Sequence, residues 1–194
     1  MTHPDYHCAP VPPFGDASAP VLIVGLAPGL HGANATGRPF TGDHAGIILY
    51  ETLHRHGFAS HSESLHVDDG MQLIDCRLTN AVKCLPPQNK PVGAEINTCN
   101  RFLAQELAQL ARPAVVLALG GVAHRAVLKA LGLKLSAFRF HHHAVAQPRD
   151  GLTLISSYHC SRYNTQTKRL TGPMFDAVIG EVREHADRCK ATGR

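Results

Sequence analysis

The chain has 194 residues, which is enough for one domain and too few for two of ordinary size. Apolar residues make up 44% and charged residues 18% of the chain, so it can build a core and is not charged enough to stay disordered. The net charge of +4 permits an anionic partner without requiring one, and the longest apolar run, 21–26, is too short to cross a bilayer. We therefore expect a cytoplasmic protein without a membrane partner.

Apolar periodicity predicts alternating strands and helices. Continuous apolar runs bounded by glycine or proline predict buried strands, and apolar residues spaced three and four apart predict helices. In chain order the predicted elements are strand 21–24, helix 43–56, strand 73–82, helix 93–110, strand 114–119, a helix ending at 132, strand 152–156 and helix 171–190.

This order predicts an α/β fold with three layers, α/β/α, around a central, mainly parallel sheet of four strands. We expect a single domain over 1–194, in which residues 1–16 form an N-terminal extension. The polar residues 187–194 are expected to fray.

Three loops that follow predicted strands are unusually polar. They span 25–46, 79–91 and 156–169 and are rich in glycine, histidine, asparagine and serine. Ligands of parallel sheets bind where loops leave the carboxyl ends of the strands, so we expect the site there.

The loop 25–46 has the composition of a nucleobase pocket. Its glycines allow backbone amides to approach a ligand closely, and Arg38, Phe40 and Asp43 place a cation, an aromatic face and a carboxylate nearby. Aromatic stacking combined with amide donors suits a base. A flexible connection between strand and helix is the alternative explanation for the glycines alone.

The loop 156–169 combines a histidine, hydroxyls, side-chain amides and three cations. These groups suit phosphates and an anionic leaving group. The alternative is a solvated surface loop.

Two motifs in these loops resemble a known family. Residues 25–43 read Gly-Leu-Ala-Pro-Gly-x-His-Gly-Ala-Asn-x-Thr-Gly-Arg-Pro-Phe-Thr-Gly-Asp, and residues 158–167 read Tyr-His-x-Ser-Arg-x-Asn-Thr-Gln-Thr. Both are similar to motifs of the family 5, or type b, uracil-DNA glycosylases, which belong to the uracil-DNA glycosylase superfamily. The resemblance covers most of the chain, from residue 10 through the terminal helix.

The resemblance implies a DNA repair enzyme that hydrolyses the N-glycosidic bond of uracil in DNA and leaves an abasic site. Hypoxanthine and xanthine are further expected bases, because Leu26 and Ala27 stand where related families place a selective polar side chain. The target nucleotide must be flipped out of the duplex before the bond can be reached. The implied partner is uracil-containing DNA, bound by a monomer.

The resemblance also implies roles for single residues. Asp43 matches the carboxylate that orients water or stabilises the sugar cation, and His159 matches the histidine that stabilises the departing base. The expected substrate-binding residues are Gly25, Leu26, Ala27, Pro28, Gly29, His31, Phe40, Asn80, Ser161 and Asn164, and the expected DNA-backbone contacts are Arg162, Lys168 and Arg169.

Each of these roles has a structural alternative. Asp43 could serve only as a helix N-cap, Asn80 as a turn residue and Asn164 as a brace for its own loop. The three cations could be ordinary surface charges.

Six cysteines in a cytosolic chain predict buried thiols, a reactive thiol or metal ligands. The resemblance implies a [4Fe-4S] cluster held by four cysteines, of which Cys84 and Cys99 match one pair. The N-terminal Cys-x-x-Cys of the family is missing. Either the true start lies upstream of Met1, or the chain has lost the cluster and leaves Cys84 and Cys99 free or bound to another metal.

In addition, Cys160 stands where the resemblance implies proline, so the loop loses a fixed φ.

Two other functions fit parts of the sequence. A homologue that binds damaged DNA without cleaving it would fit Cys160 and the missing cluster ligands. A nucleotide- or flavin-binding protein would fit the glycine-rich loop, although the spacing G-x-G-x-x-G is absent.

The histidines 141–143 do not predict a metal site, because neighbouring side chains on a strand point in different directions. We expect them on a surface or DNA-facing segment.

Overall fold

Five strands form one sheet in a computed structural model that describes residues 3–192, without the side chain of residue 192. The strands are β1 Val21–Gly25, β2 Cys76–Asn80, β3 Ala114–Leu119, β4 Ala144–Arg149 and β5 Leu152–Ser157, in the spatial order β2-β1-β3-β5-β4. All neighbouring pairs are parallel except β4 and β5, which are antiparallel. The predicted α/β fold with a mainly parallel sheet is confirmed.

Helices cover both faces of this sheet. They are α1 Ala33–Thr36, α2 His44–Arg55, α3 Gly93–Gln109, α4 Gly121–Ala130, α5 Arg162–Gln166 and α6 Gly172–Thr192, with 3-10 turns at Pro87–Asn89 and Leu135–Ala137. The one-turn helices α1 and α5 are too short to show apolar periodicity, and the sequence did not predict them. None of the helices within residues 3–192 is long and apolar enough to cross a membrane.

The core consists of two apolar clusters, one on each face of the sheet. Val21 and Ile23 of β1 join the cluster that includes α2 and α6, whereas Leu22 and Val24 join the cluster that includes α3 and α4. Successive side chains of a strand point to opposite faces, so a strand that is covered on both faces reads as a continuous apolar run. This is why the inner strands were visible in the sequence.

The edge strand β4 was not predicted, because it is not buried on both faces and so lacks a continuous apolar run. Its side chains alternate between partly buried and exposed, and it contains Pro148, which is tolerated because an edge strand needs fewer ladder hydrogen bonds. The sheet therefore has five strands rather than four. The histidines 141–143 lie just before β4, partly in a turn, so the strand geometry assumed for them is wrong.

The end of the chain also differs from the prediction. Helix α6 continues through Thr192, so residues 187–192 are helical where fraying was expected, and residues 193–194 lie outside the described part. Ala186 is buried and Cys189 packs against the core, which holds this last stretch on the sheet. An ion pair between Arg183 and Asp187, one helical turn apart, adds to it.

Candidate active site

A cavity of about 710 Å³ lies at the edge of the sheet where the loops after β1 and β5 meet. This volume is typical of a small-ligand site, and the position is the one that parallel sheets favour. Of the predicted site residues, the cavity is lined by Leu26, Ala27, Pro28, Gly29, His31, Asp43, His159, Ser161 and Arg162.

Asp43 occupies two roles at once. It is the N-cap of α2, where its Oδ1 atom accepts a hydrogen bond of 2.9 Å from the Gly46 amide, and it also lines the cavity. Burial raises the pKa of the Asp43 carboxyl, although the amides of Gly46 and Ala45 and the neighbouring His44 oppose the shift. The capping alternative and the site assignment are therefore compatible.

Glycine is required beside this carboxylate. A Cβ atom on Gly32 would lie 2.6 Å from Oδ2 of Asp43, whereas one on Gly29 would lie 3.7 Å from the same atom. The Oδ2 atom thus packs directly on the backbone of the first motif, within the wall of the cavity.

His159 follows β5 on the opposite motif. The Asn164 side chain donates a hydrogen bond of 2.8 Å to the His159 carbonyl oxygen, so Asn164 braces the loop as one alternative proposed. Among the described residues, the His159 ring has no hydrogen-bond partner. Burial lowers the pKa of His159 to about 4. The ring is therefore neutral near pH 7, where it offers an N–H donor without a charge.

The lowered pKa of His159 predicts a loss of stability in mild acid. As the pH falls from 6.5 to about 4, the unfolded chain binds a proton at His159 that the folded chain excludes. We expect the free energy of unfolding to drop by about 3 kcal/mol from this group over that range. Urea unfolding at several pH values should show a smaller drop in His159→Gln than in the wild type. The exposed His66→Gln is the control, and equal drops in all three proteins would contradict the prediction.

Phe40, Gly25 and Asn80 form a second group beside this cavity. The Phe40 ring is buried, with its centroid 6.3 Å from that of His159. Gly25 ends β1 and is paired in register with Asn80, which ends β2. A Cβ atom on Gly25 would lie 2.4 Å from both Phe40 Cζ and Asn80 Oδ1. Asn80 thus lies in a strand rather than a turn, and its side chain has no hydrogen-bond partner within residues 3–192.

Gly25→Ala is expected to disrupt this group. The added methyl must push Phe40 or Asn80 away, because neither contact can be accommodated at 2.4 Å. We expect a loss of about 1–3 kcal/mol in the free energy of unfolding, measured by urea denaturation, together with weaker activity. Gly172→Ala is the control, since nothing lies within 4 Å of a Cβ at Gly172. Equal stability of the two variants would contradict the prediction.

Arg38 does not face the loop amides, which corrects the expectation that it supplies a cation to the pocket. Its side chain is 5% exposed and pairs with Asp69 at 2.6 Å. The guanidinium also donates to Thr41 Oγ1 and Ser64 Oγ, each at 2.9 Å. Arg38 therefore fastens the first motif to the segment 64–69 instead of binding a ligand.

The predicted DNA-binding cations are all exposed but lie in different places. Arg162 lines the 710 Å³ cavity. The Arg169 guanidinium lies 4.6 Å over the Tyr158 ring and lines, with Asn164, a neighbouring cavity of about 190 Å³ that shares His159. Lys168 lines neither of these two cavities.

Two polar side chains that line the cavity, those of Asn89 and His44, were missed by sequence reasoning. Asn89, with a left-handed φ of 56°, accepts a hydrogen bond of 3.3 Å from the Leu30 amide. His44 lies 3.0 Å, Nε2 to Oγ1, from Thr165 of the second motif. Asn89 belongs to the polar loop 79–91 and His44 adjoins Asp43, which are the only local signals for either residue.

Comparison with known proteins decides the family. A model of the uracil DNA glycosylase superfamily matches residues 12–183. A type-5 uracil-DNA glycosylase of Thermus thermophilus is 48% identical over 181 residues, which cover 93% of this chain and 82% of the relative. A type-5 enzyme of Pyrobaculum aerophilum is 43% identical, with 90% of this chain and 75% of the relative covered. One from Mycobacterium leprae is 41% identical, with 93% and 80% covered.

The chain belongs to the uracil-DNA glycosylase superfamily. The resemblance drawn from the two motifs is thereby confirmed.

The resemblance implies a [4Fe-4S] cluster, and Cys84 and Cys99 are the two residues expected to contribute to it. Cys84 and Cys99 lie close enough for the Cys99 thiolate to raise the pKa of Cys84, after burial as the larger cause. Cys8 lines a cavity with Cys84, but no group of three His, Cys, Asp or Glu side chains within residues 3–192 is arranged to hold a metal ion. A cluster of this kind needs four thiolates, so the residues 3–192 do not by themselves fit it.

Cys160 is fully buried in the core rather than exposed in the cavity. Burial, followed by the Asp43 charge, raises the pKa of its thiol. A buried thiol of this kind is inert, so Cys160 acts as a small apolar residue in this glycosylase fold.

Proposed function

We propose that the protein is a DNA repair enzyme that removes uracil from DNA by hydrolysing the N-glycosidic bond, leaving an abasic site. The observation that carries the proposal is the convergence of Asp43 and His159, from two distant family motifs, on one cavity beside the Phe40 ring. The relatives named type-5 uracil-DNA glycosylases support the same reaction.

In this proposal the flipped base stacks on Phe40 while the backbone N–H groups of Ala27 and Gly29 meet its edge. The C1′–N1 bond breaks and its electron pair passes to N1 of the base. A neutral His159 donates an N–H hydrogen bond to the base oxygen on which the negative charge develops. Because His159 carries no charge near pH 7, it stabilises the leaving base without forming an ion pair with it.

Asp43 acts on the sugar side of the same bond. Its carboxylate orients the attacking water and accepts a proton from it, or stabilises the positive charge that develops on the sugar. The Oδ1 atom is held by the Gly46 amide, so the carboxylate is fixed before substrate binds. The attacking oxygen becomes the new C1′ hydroxyl.

The residues of the first motif indicate which bases the enzyme can release. Leu26 and Ala27 line the cavity with apolar side chains, so no side chain there selects against a purine. We therefore propose hypoxanthine and xanthine as additional substrates.

The test is release of free base from duplexes that contain one uracil, hypoxanthine or xanthine. Release of uracil with formation of an abasic site is expected, and release of the two purines would extend the range. Binding of uracil-containing DNA without any abasic product would overturn the proposal in favour of a damage-binding homologue. The burial of Cys160 in the core removes one of the two reasons for that alternative.

Contacts from Arg162, Lys168 and Arg169 to the DNA backbone are part of the proposal, supported by their exposure on the second motif. We also propose that the enzyme acts as a monomer on DNA in the cytoplasm, because both motifs that line the cavity come from one chain. Sedimentation of the free and DNA-bound protein tests the monomeric state.

A role of Cys84 and Cys99 as two cluster ligands also stays a prediction. Iron and acid-labile sulfide in the purified protein, lost in Cys84→Ser, would support it. A wild-type protein without iron would contradict it.

A further inference from the structure

The second motif is tied to the rest of the molecule by few polar contacts. Within residues 3–192, one hydrogen bond joins the segment 159–170 to the remainder of the chain, and it runs from His44 Nε2 to Thr165 Oγ1 at 3.0 Å. Helix α5, which lies in this segment, contributes no buried residue. The buried side chains of Cys160 and Leu170 anchor the two ends of the segment. Arg169 and His159 add ring contacts to Tyr158 and Phe40, respectively.

The direction of this hydrogen bond follows from the proton count of the hydroxyl. Thr165 Oγ1 lies within hydrogen-bond distance of two backbone carbonyls, those of Arg162 at 3.0 Å and Ser161 at 3.3 Å. A carbonyl can only accept, so the single hydroxyl proton of Thr165 points to the backbone. The Thr165 oxygen then accepts from His44 in the tautomer that carries the proton on Nε2.

This bond joins the two helices that adjoin the proposed reacting groups. His44 is the first residue of α2 and directly follows Asp43, whereas Thr165 lies in the helix that follows His159. Both Asp43 and His159 line the same cavity. A bond between their two flanking helices therefore fixes the separation between the carboxylate and the imidazole.

We propose that His44 is a positioning residue for cleavage of the glycosidic bond and acts through Thr165. This inference rests on the proposed function and assigns a role to a residue outside the set carried over from the family. His44 donates a hydrogen bond to Thr165 and so fixes the position of α5. Because α5 follows the His159 loop, this also fixes the distance between the His159 imidazole and the Asp43 carboxylate. The rate of bond cleavage depends on such distances steeply, whereas overall stability depends on the buried core.

The test combines kinetics with a conservative rescue. Steady-state kinetics of uracil release are measured for His44→Ala, Thr165→Val and the double variant. Each single variant is expected to lower kcat by about tenfold to a hundredfold with little change in KM, and the double variant should be no worse than either one. His44→Gln, which keeps a donor near the Nε2 position, and Thr165→Ser should restore most of the rate.

Thr167→Val is the matched control. It removes the same hydroxyl from the same motif, but Thr167 Oγ1 donates only to the Tyr163 carbonyl within its own turn. Unchanged kcat in Thr167→Val with reduced kcat in Thr165→Val supports the proposal. Additive losses in the double variant, no loss in either single variant, or a loss confined to KM would overturn it.

A spectroscopic measurement separates this proposal from the proposed function. The ¹⁵N signals of the His44 imidazole should show a protonated Nε2 atom, and they should shift in Thr165→Val but not in Thr167→Val. A wild-type protein that releases no uracil would refute the proposed function and leave this signal unaffected. A His44 ring protonated only at Nδ1 would refute the positioning bond itself.

Discussion

Asp43→Asn is expected to slow uracil release by about three orders of magnitude without unfolding the protein. Asparagine caps a helix as well as aspartate does, so the hydrogen bond from the Gly46 amide is retained while the negative charge is lost. Loss of a positioned acid–base group typically lowers a rate by about 100-fold to 10,000-fold. Single-turnover kinetics with saturating enzyme measure the effect on the chemical step.

The pH dependence of the same reaction gives an independent check. The proposed mechanism requires the Asp43 carboxylate in its ionised form, and burial raises its pKa, so the rate should fall in acid from above the ordinary aspartate range. This fall in rate at acid pH should disappear in Asp43→Asn.

The exposed Asp16→Asn is the matched control, because Asp16 also accepts from a backbone amide, that of Ser18, but lies away from the cavity. The Asp16→Asn variant should keep both the wild-type rate and its fall at acid pH. A rate for Asp43→Asn within tenfold of the wild type would refute the catalytic role of this carboxylate.

Arg38→Met is expected to reduce the free energy of unfolding by about 3–5 kcal/mol, although Arg38 touches no substrate. Removing the guanidinium leaves Asp69 without its charge partner and Ser64 and Thr41 without their donor. The carbonyls of His66 and Val67 also lose a hydrogen bond. Breaking this ion pair is costly because the remaining Asp69 charge is only partly exposed to water and loses its partner.

Asp69 reports on the same contact through its titration. Burial raises its pKa. The hydrogen bond and charge of Arg38, together with the amides of Met71 and Leu65, outweigh burial and lower the pKa to about 2. A carboxyl with a lowered pKa contributes stability above its unfolded pKa, and this contribution is lost as the pH falls from 3.8 towards 2. In Arg38→Met this acid-dependent loss should shrink.

Urea denaturation measures both effects. Arg101→Met is the control, since it removes an exposed guanidinium that lies over the Phe102 ring at 4.7 Å. It should change stability by less than about 0.5 kcal/mol. A loss below about 1 kcal/mol in Arg38→Met would show that the ion pair does not hold the loop.

Phe40 links this contact to the site. It has a left-handed φ of 58°, which is a strained conformation for an aromatic residue and persists only if its neighbours hold it. Arg38 and Thr41 lie two residues before and one residue after it, and both are fixed by the Arg38 contacts. The stacking surface proposed for the base thus depends on an arginine that points away from it.

Much of the site was predictable because its residues stand next to strong local signals. The glycines and Asp43 follow the apolar run of β1, and His159 follows that of β5. Parallel strands bring such carboxyl ends to one edge of the sheet, so the meeting of the two motifs followed from the order of strands alone. The structure added the register that pairs Gly25 with Asn80 at this edge, which the sequence did not predict.

The sequence by itself determined the inner parallel strands, the helices that cover them and the two motifs, because burial on both faces leaves an apolar period that each segment carries on its own. The tertiary structure alone decided the edge strand β4, the inward turn of Arg38, the bracing role of Asn164 and the bond from His44 to Thr165. The contacts of Arg38 and His44 join residues that are tens of positions apart, and no local period records which partner a polar group finds. The direction of each such side chain is fixed only when the packed core brings its partner within hydrogen-bond distance.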